Sequence, residues 1–353
     1  MKKILVINPG STSTKLAVYH DLHPVWQGGA HHPMAELAAF DHAADQLDYR
    51  RRFVLDRLQA DAIPVCFDAV IARGGLLKPI PGGVYAVNER MKHDLVHAEM
   101  DHACNLGALI ADEIAHRCHC PAYIADPVVV DELLPRARLS GLPGLERRSI
   151  FHALNQKAVA RRYATSIGRR YEDLNLVVAH LGGGISVGAH RRGKVIDVNN
   201  ALNGEGPFSP ERAGTLPCCS LVDLCFSGRY SKKQVMKMLA GRGGLIAHLG
   251  LNDMITVAQK AEAGEEPFHE VLEAMLYTIA KQIGAMYVAL EGKADAIILT
   301  GGIAYSDYCT AAIRRQVDYL APVTVCPGED EMGALAFNAL GALNGTLDVK
   351  TYE

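Results

Sequence analysis

No uninterrupted apolar run in this 353-residue sequence approaches the roughly 18 residues that a membrane-spanning helix needs, so no membrane segment is expected. Neither sign of charge dominates. The 36 Lys and Arg against 39 Asp and Glu leave a net charge of −3, which gives no electrostatic case for nucleic acid or an anionic membrane as partner. The first residues include two lysines but only a short apolar run, Ile4 to Ile7, before Asn8, so a secretory leader is not expected. The paired C-x2-C spacing of zinc sites is missing from Cys118-His119-Cys120 and from Cys218-Cys219, which disfavours metal at either. Nine cysteines, an odd count in a large chain, fit a reducing cytoplasm better than a disulfide framework. Two glycine fingerprints are also lacking. Gly10 has no second glycine before Lys15, and Leu16 follows that lysine, which rules out a Walker A loop. Val187 stands where G-x-G-x-x-G would place its last glycine.

What is present begins with Ile4-Leu5-Val6-Ile7, a buried strand by its unbroken aliphatic run. Asn8-Pro9-Gly10 forces a turn, because proline fixes φ and glycine accepts φ > 0. Leu16 to Tyr19 reads as the returning strand. Between them lie Ser11, Thr12, Ser13, Thr14 and Lys15, at the tip of a tight hairpin. Such a tip offers N–H groups, hydroxyls and a cation to a phosphate, or is an ordinary polar turn.

The device recurs. Leu174 to His180 is a strand, Leu181 to Ser186 a glycine-rich turn, and Val187 to His190 a returning strand. Ala296 to Leu299 then runs into Thr300-Gly301-Gly302-Ile303. Strand-to-glycine junctions near residues 10, 183 and 301 point to a duplicated architecture. Two such hairpins facing a cleft, with a third glycine turn nearby, resemble the plan of the actin-like ATPase, sugar kinase and Hsp70 superfamily. The expected fold is therefore α/β and two-lobed, with a duplicated mixed-sheet core and a central cleft.

The rest of the chain is read in order. Leu37, Phe40, Ala44, Leu47, Val54 and Leu58 form an amphipathic helical pattern over 35–58, and the run Arg50-Arg51-Arg52 on it reads as a solvated face. Asp68 to Ala72 is a strand ending in Arg73-Gly74-Gly75, the position where α/β sheets place ligands. A helix is expected over 104–116. The strand Ala122 to Ala125 ends at Asp126, a turn former or a metal ligand. His152 opens a helix running to about Ile167. The polar stretch 199–217, rich in Gly, Pro and Asn and carrying Phe208 and Arg212, is the kind of long loop that carries function. Leu272, Met275, Ile279, Ile283, Met286 and Leu290 step by three and four, a packing stripe that suits a subunit interface. Residues 1–127 with 332–353 are expected to form the N-terminal lobe and 128–331 the C-terminal lobe.

These strings together resemble the acetate kinase (acetokinase) family over nearly the whole chain, and its butyrate kinase branch most closely. They are Val6 to Lys15, Arg73 to Pro79, Phe151 to Lys157, His180 to Ser186 and Asn199 to Gly214. The resemblance implies that Asn8, Ser11, Ser13 and Lys15 are the phosphate-loop residues and that Arg73 and Arg212 are the active-site arginines. It makes Asp126 and Glu331 the carboxylates associated with Mg2+, and His152 and His180 active-site histidines. It puts Gly182, Gly183 and Gly184, with Gly301 and Gly302, on the nucleotide side. Two departures stand out. The family carries a further active-site histidine near the place of Asn105, and Val and Leu on the acyl-pocket wall where this chain has Gly75 and Cys104. A roomier pocket is expected, at about 0.8 kcal/mol per extra buried CH2.

The implied reaction is reversible transfer of the ATP γ-phosphoryl group to butyrate or a similar short-chain fatty acid, giving acyl phosphate and ADP. Acetate, propionate or a branched-chain acid is the alternative within the family, and a sugar kinase or regulatory ATPase the alternative outside it. A carboxylate is already ionised at neutral pH and needs no general base. Asp126 is therefore cast as a Mg2+ ligand. Two anions must meet, so two arginines and a divalent ion make physical sense. A homo-oligomer, dimer or higher, in the cytoplasm is expected, with neither nucleic acid nor membrane as partner.

Overall fold

The computed structural model describes residues 1–98, 100 and 102–353. The chain divides into two compact units, Met1–Val130 with Asp330–Glu353, and Asp131–Glu329. Glu331 thus falls in the first unit, where the sequence reading put it in the C-terminal lobe. The strands of the first unit are β1 (Lys3–Pro9), β2 (Ser13–His20), β3 (His23–His31), β4 (Ala69–Arg73), β5 (Val84–Ala86) and β6 (Ala122–Ala125). The second unit holds β7 (Asn175–Leu181), β8 (Ile185–Arg191), β9 (Lys194–Val198), β10 (Ala296–Gly301) and β11 (Val323–Pro327). The terminal β12 (Val349–Lys350) returns to the first unit.

The two sheets share a five-strand core, to which the first adds β5 and β12. In the first unit the order is β12-β5-β6-β4-β1-β2-β3, and in the second β11-β10-β7-β8-β9. In each, an antiparallel meander (β1-β2-β3, β7-β8-β9) is followed by two strands parallel to its first member (β4 and β6, β10 and β11). The duplication that the glycine turns pointed to is real, and it fixes their equivalence. The turn after β1 corresponds to the turn after β7, and Gly301 at the end of β10 corresponds to the Arg73 end of β4.

Central strands explain their own composition. Ile4, Leu5, Val6 and Ile7 are all fully buried, so both faces of β1 are covered. Leu106, Ile110 and Ile114 of the helix Leu106–Cys118 join Leu5, Ile7 and Val70 in one core cluster. Each such side chain contributes about 1.5–3 kcal/mol on burial. Edge strand β3 is largely exposed, and without an apolar alternation it gave no sequence signal.

Three expectations are corrected. The pattern over 35–58 is not one helix: a single turn at Met34–Leu37 precedes a 3-10 turn at Ala43–Gln46 and the helix Leu47–Ala60. Asp45 accepts a hydrogen bond from the backbone N–H of His42, capping the chain there and breaking the continuity. The run Arg50-Arg51-Arg52 is not a solvated face. Arg50 is fully buried, Arg51 reaches Glu113 at 2.9 Å, and only Arg52 is exposed. The stripe from Leu272 to Leu290 is consumed inside the second unit, where it packs with Val177, Val187 and Ile297, so it is not an intersubunit face. Among the described residues no helix is long and apolar enough to cross a membrane.

Candidate active site

In the first unit, β1 and β2 pair with Asn8 opposite Lys15 and Pro9 opposite Thr14, leaving Gly10, Ser11, Thr12 and Ser13 as the turn. The Gly10 N–H donates to the Ser13 carbonyl at 2.7 Å and closes it. Alternation along β2 buries Thr14 and Leu16 and turns Lys15 outward. Ser11 is exposed at the tip. Asn8, at the end of the buried strand, donates to Glu331 Oε2 at 2.7 Å.

Arg73 ends β4, parallel to β1, and its Nη1 lies 3.4 Å from the same Glu331 oxygen. Glu331 is the first residue of the helix Glu331–Leu343, where a carboxylate also meets the positive end of the helix dipole. One carboxylate thus ties the hairpin asparagine Asn8 to a strand-end arginine. β6 is parallel to β4, with Ala125 opposite Arg73, so Asp126 sits one residue past the neighbouring strand end. Asp126 is buried with φ of 39°, in the left-handed region, and its Oδ1 accepts from the Gly83 N–H at 2.8 Å. The carboxyl ends of β1, β4 and β6 are neighbours in the sheet, as ligand sites of α/β proteins require.

In the second unit, the turn after β7 is Gly182-Gly183-Gly184, closed by the Gly182 N–H donating to the Gly184 carbonyl at 3.2 Å. Ser209 Oγ donates to the Gly183 carbonyl at 2.6 Å, fastening the 199–217 loop to the turn. Arg212 in that loop donates to the Ala201 carbonyl. Its guanidinium packs against Gly184: a Cβ built there would fall 2.5 Å from the Arg212 Cζ. Only glycine leaves that space. Burial pushes the Arg212 pKa down, opposed by the Glu211 carboxylate. Gly301 has φ of +90° and a Cβ there would lie 2.4 Å from the Leu181 carbonyl oxygen, whereas Gly302 faces open space.

The two histidines meet. His152 and His180 stack with ring centroids 3.7 Å apart and planes 10° off parallel. His180 donates from Nδ1 to Asn155 Oδ1 at 3.0 Å, and its Nε2 lies 3.1 Å from Glu329. Behind His152 runs a buried chain of hydrogen bonds. Burial pushes the His190 pKa well down, so it is neutral. His190 Nε2 faces Gln156 Oε1 at 2.9 Å, an acceptor, and therefore carries the proton. Gln156 Nε2 donates to Ser186 Oγ at 2.8 Å, and that oxygen lies 2.9 Å from His152 Nδ1. The His152 ring is thus anchored through Nδ1. Glu329, Asn155, Ser186, Gln156 and His190 were not singled out by the sequence. Asn155, Gln156 and Ser186 lay inside matched segments, and Glu329 and His190 gave no signal.

Comparison with known proteins decides the family. Residues 144–321 match the acetokinase family. The chain is 69% identical over 351 residues, 99% of each chain, to a probable butyrate kinase of Phocaeicola vulgatus. The chain belongs to the acetokinase family. It is also 55% identical to a probable butyrate kinase of Bacteroides thetaiotaomicron, over 99% of this chain and 100% of that one. Among solved structures, acetate kinase from Porphyromonas gingivalis superposes with a TM-score of 0.80 at 18% identity, covering 97% of this chain and 100% of the other. The fold is that of the actin-like ATPase, sugar kinase and Hsp70 superfamily.

Against the acetokinase pattern, the structure bears on both expected departures. Asn105 does not leave the loop without a histidine. His102 accepts at Nδ1 from the Cys104 N–H (3.1 Å), so its Nε2–H donates to Ser11 Oγ at 3.0 Å. Asn105 itself holds the Leu76 N–H at 2.8 Å. Gly75 does not open a pocket. A Cβ there would lie 2.6 Å from Asn105 Cα and 2.7 Å from Leu95 Cδ2, so glycine serves close packing of two backbones. Gly75→Val is expected to destabilise by about 1–3 kcal/mol through overpacking, read as a lower urea midpoint, without the clean switch of acid preference that a pocket wall would give. Cys104 remains a wall candidate. It is buried, which pushes its thiol up to about 11 against the opposing pull of the Arg73 charge.

Proposed function

We propose that the chain is a carboxylate kinase that transfers the γ-phosphoryl group of ATP reversibly to butyrate or a similar short-chain fatty acid, yielding acyl phosphate and ADP. The observation that carries the reading is the 69% identity, over 99% of each chain, to a probable butyrate kinase.

The chemistry of the groups supports it. Both substrates are anions, so the site must offset repulsion and the charge that spreads over the transferring group. Arg73 and Arg212 are assigned to that task, since a planar guanidinium bridges two oxygens at once. Lys15, Asn8, Ser11 and Ser13 are assigned to a substrate phosphate, and Gly182, Gly183, Gly184, Gly301 and Gly302 to the nucleotide. His152, anchored through Nδ1 by the hydrogen-bond chain from His190, is a side chain suited to the equatorial oxygens of the transferring group. Its stacking partner His180 holds the ring plane. No proton has to leave the nucleophile, so no base is assigned.

Asp126 and Glu331 are assigned to Mg2+. The donor set fits the ion: Mg2+ is held by one or two carboxylates, waters and substrate phosphates rather than by an all-protein cage. Among the described residues no three His, Cys, Asp or Glu side chains form such a cage. Bound there, Mg2+ would supply charge to neutralise phosphate oxygens.

The test is hydroxamate trapping of acyl phosphate with ATP, Mg2+ and unbranched and branched C2 to C5 acids. Product with butyrate or its C3–C5 neighbours is expected. Product with acetate alone would move the chain to another branch of the family, and phosphorylation of a sugar hydroxyl without acyl phosphate would overturn the reading.

A further inference from the structure

Arg50 is fully buried on the helix Leu47–Ala60, yet among the described residues every hydrogen bond of its two terminal nitrogens goes to the phosphate loop. Nη1 donates to the carbonyls of Gly10 (2.9 Å) and Ser13 (3.1 Å) and to Thr14 Oγ1 (3.2 Å). Nη2 donates to the Ser11 carbonyl at 2.8 Å, and Nε to Gln46 Oε1 at 2.9 Å. Among the described residues no carboxylate pairs with this guanidinium. Its neighbours differ: Arg51 pairs with Asp48 and Glu113, and Arg52 is exposed.

A second layer holds the same spot. Tyr49 donates its hydroxyl to Glu36 at 2.7 Å, so it accepts from His32 Nδ1 at 3.1 Å. His32 Nε2 is then an acceptor, and the Thr14 hydroxyl donates to it at 2.8 Å while receiving the Arg50 N–H. Every hydrogen in this chain has one direction. His32 is neutral in it, its pKa pushed down by burial and by the Arg50 charge.

A buried cation without a counter-charge is costly, and carbonyl dipoles offset only part of that cost. We propose that Arg50 is the positioning residue of the phosphate loop: it pulls the Gly10, Ser11 and Ser13 carbonyls inward, sets the outer edge of the turn for a phosphate, and leaves its charge to be completed by that anion. The inference rests on reading residues 8–15 as a phosphate loop, and it adds a residue that takes no part in the chemistry itself.

The experiment compares Arg50→Lys, Arg50→Gln and, as surface control, Arg52→Gln. Steady-state acyl phosphate formation is measured together with hydrogen–deuterium exchange of the intact protein without substrate. Arg50→Lys keeps the charge but loses the fork, so kcat is expected to fall about 10²-fold, the scale of a small misplacement, with the KM for ATP little changed. Arg50→Gln is expected to lower kcat similarly and also to raise the KM for ATP. In both, exchange rises over residues 10–14 and not across the unit. If either variant fails to fold, Thr14→Val, which removes the bridging hydroxyl, is expected to raise exchange over the same residues. Wild-type kcat in folded Arg50→Lys, or faster exchange spread evenly over the first unit with kcat and KM falling in proportion, would overturn the proposal. Unchanged exchange and activity in Thr14→Val would overturn it where the Arg50 variants do not fold. Wild-type protein that makes no acyl phosphate would defeat the functional reading alone, because the exchange pattern still decides the role of Arg50 in the loop.

Discussion

Arg212→Ala is expected to lower kcat for acyl phosphate formation by about 10³–10⁵-fold, the range for a guanidinium that stabilises a transferring phosphoryl group. The side chain is held by the Ala201 carbonyl and laid on Gly184, so its removal takes away a placed charge rather than a mobile one. Arg73→Ala is expected to match it, because among the described residues Glu331 would keep only Asn8 as the partner of its Oε2. Arg→Lys is expected to rescue little at either position, since an ammonium is a point charge and cannot bridge two oxygens. Thermal unfolding separates this from loss of fold: both alanine variants should melt close to the wild type. Folded variants retaining a tenth of wild-type kcat would remove the arginines from the chemistry.

The second large effect is on stability. Gly301→Ala is expected to cost about 3 kcal/mol or more, combining a strained left-handed backbone with overpacking. The new methyl would meet the Leu181 backbone, with the carbonyl oxygen 2.4 Å away, and break the close pass of β10 beside the end of β7. The paired hydrogen bonds between Gly301 and Gly328, at 3.1 and 3.0 Å, would go with it. Gly302→Ala is the internal control, because nothing lies within 4 Å of its built Cβ. Urea unfolding should separate the two variants clearly; equal midpoints would show that the strand end relaxes at no cost.

How much of this was legible follows from what each residue needs. The hairpin at 8–15 could be read because its signals are local: an aliphatic run, Asn-Pro-Gly, then a second apolar run. Arg73 and Asp126 could be placed because a strand followed by glycine or proline marks a strand end, and strand ends are where such sheets bind. The duplicated topology showed through its glycine turns, although the equivalence of 301 with the Arg73 end needed the sheet order. Arg50 could not be read. Three consecutive arginines look solvated, and only the approach of the hairpin carbonyls, some 40 residues away in sequence, makes one of them a core residue. Gly75 misled for a similar reason. A missing side chain signals space in a sequence, but here the space is filled by Asn105 and Leu95. The stripe from Leu272 to Leu290 gave its helix but not its partner, because periodicity says which face is apolar and not what covers it. The chain of hydrogen bonds from His190 through Gln156 and Ser186 to His152 joins β8 to the helix that His152 opens and left no trace in local pattern.

The central claim is that an ionised carboxylate attacks phosphorus directly. It is tested by incubating the wild-type protein with ATP, Mg2+ and butyrate labelled with oxygen-18 in both carboxyl oxygens, and recording the phosphorus-31 spectrum of the product. An acyl phosphate signal carrying the isotope shift of a labelled bridging oxygen is predicted. No acyl phosphate, or one whose bridging oxygen is unlabelled, would contradict it.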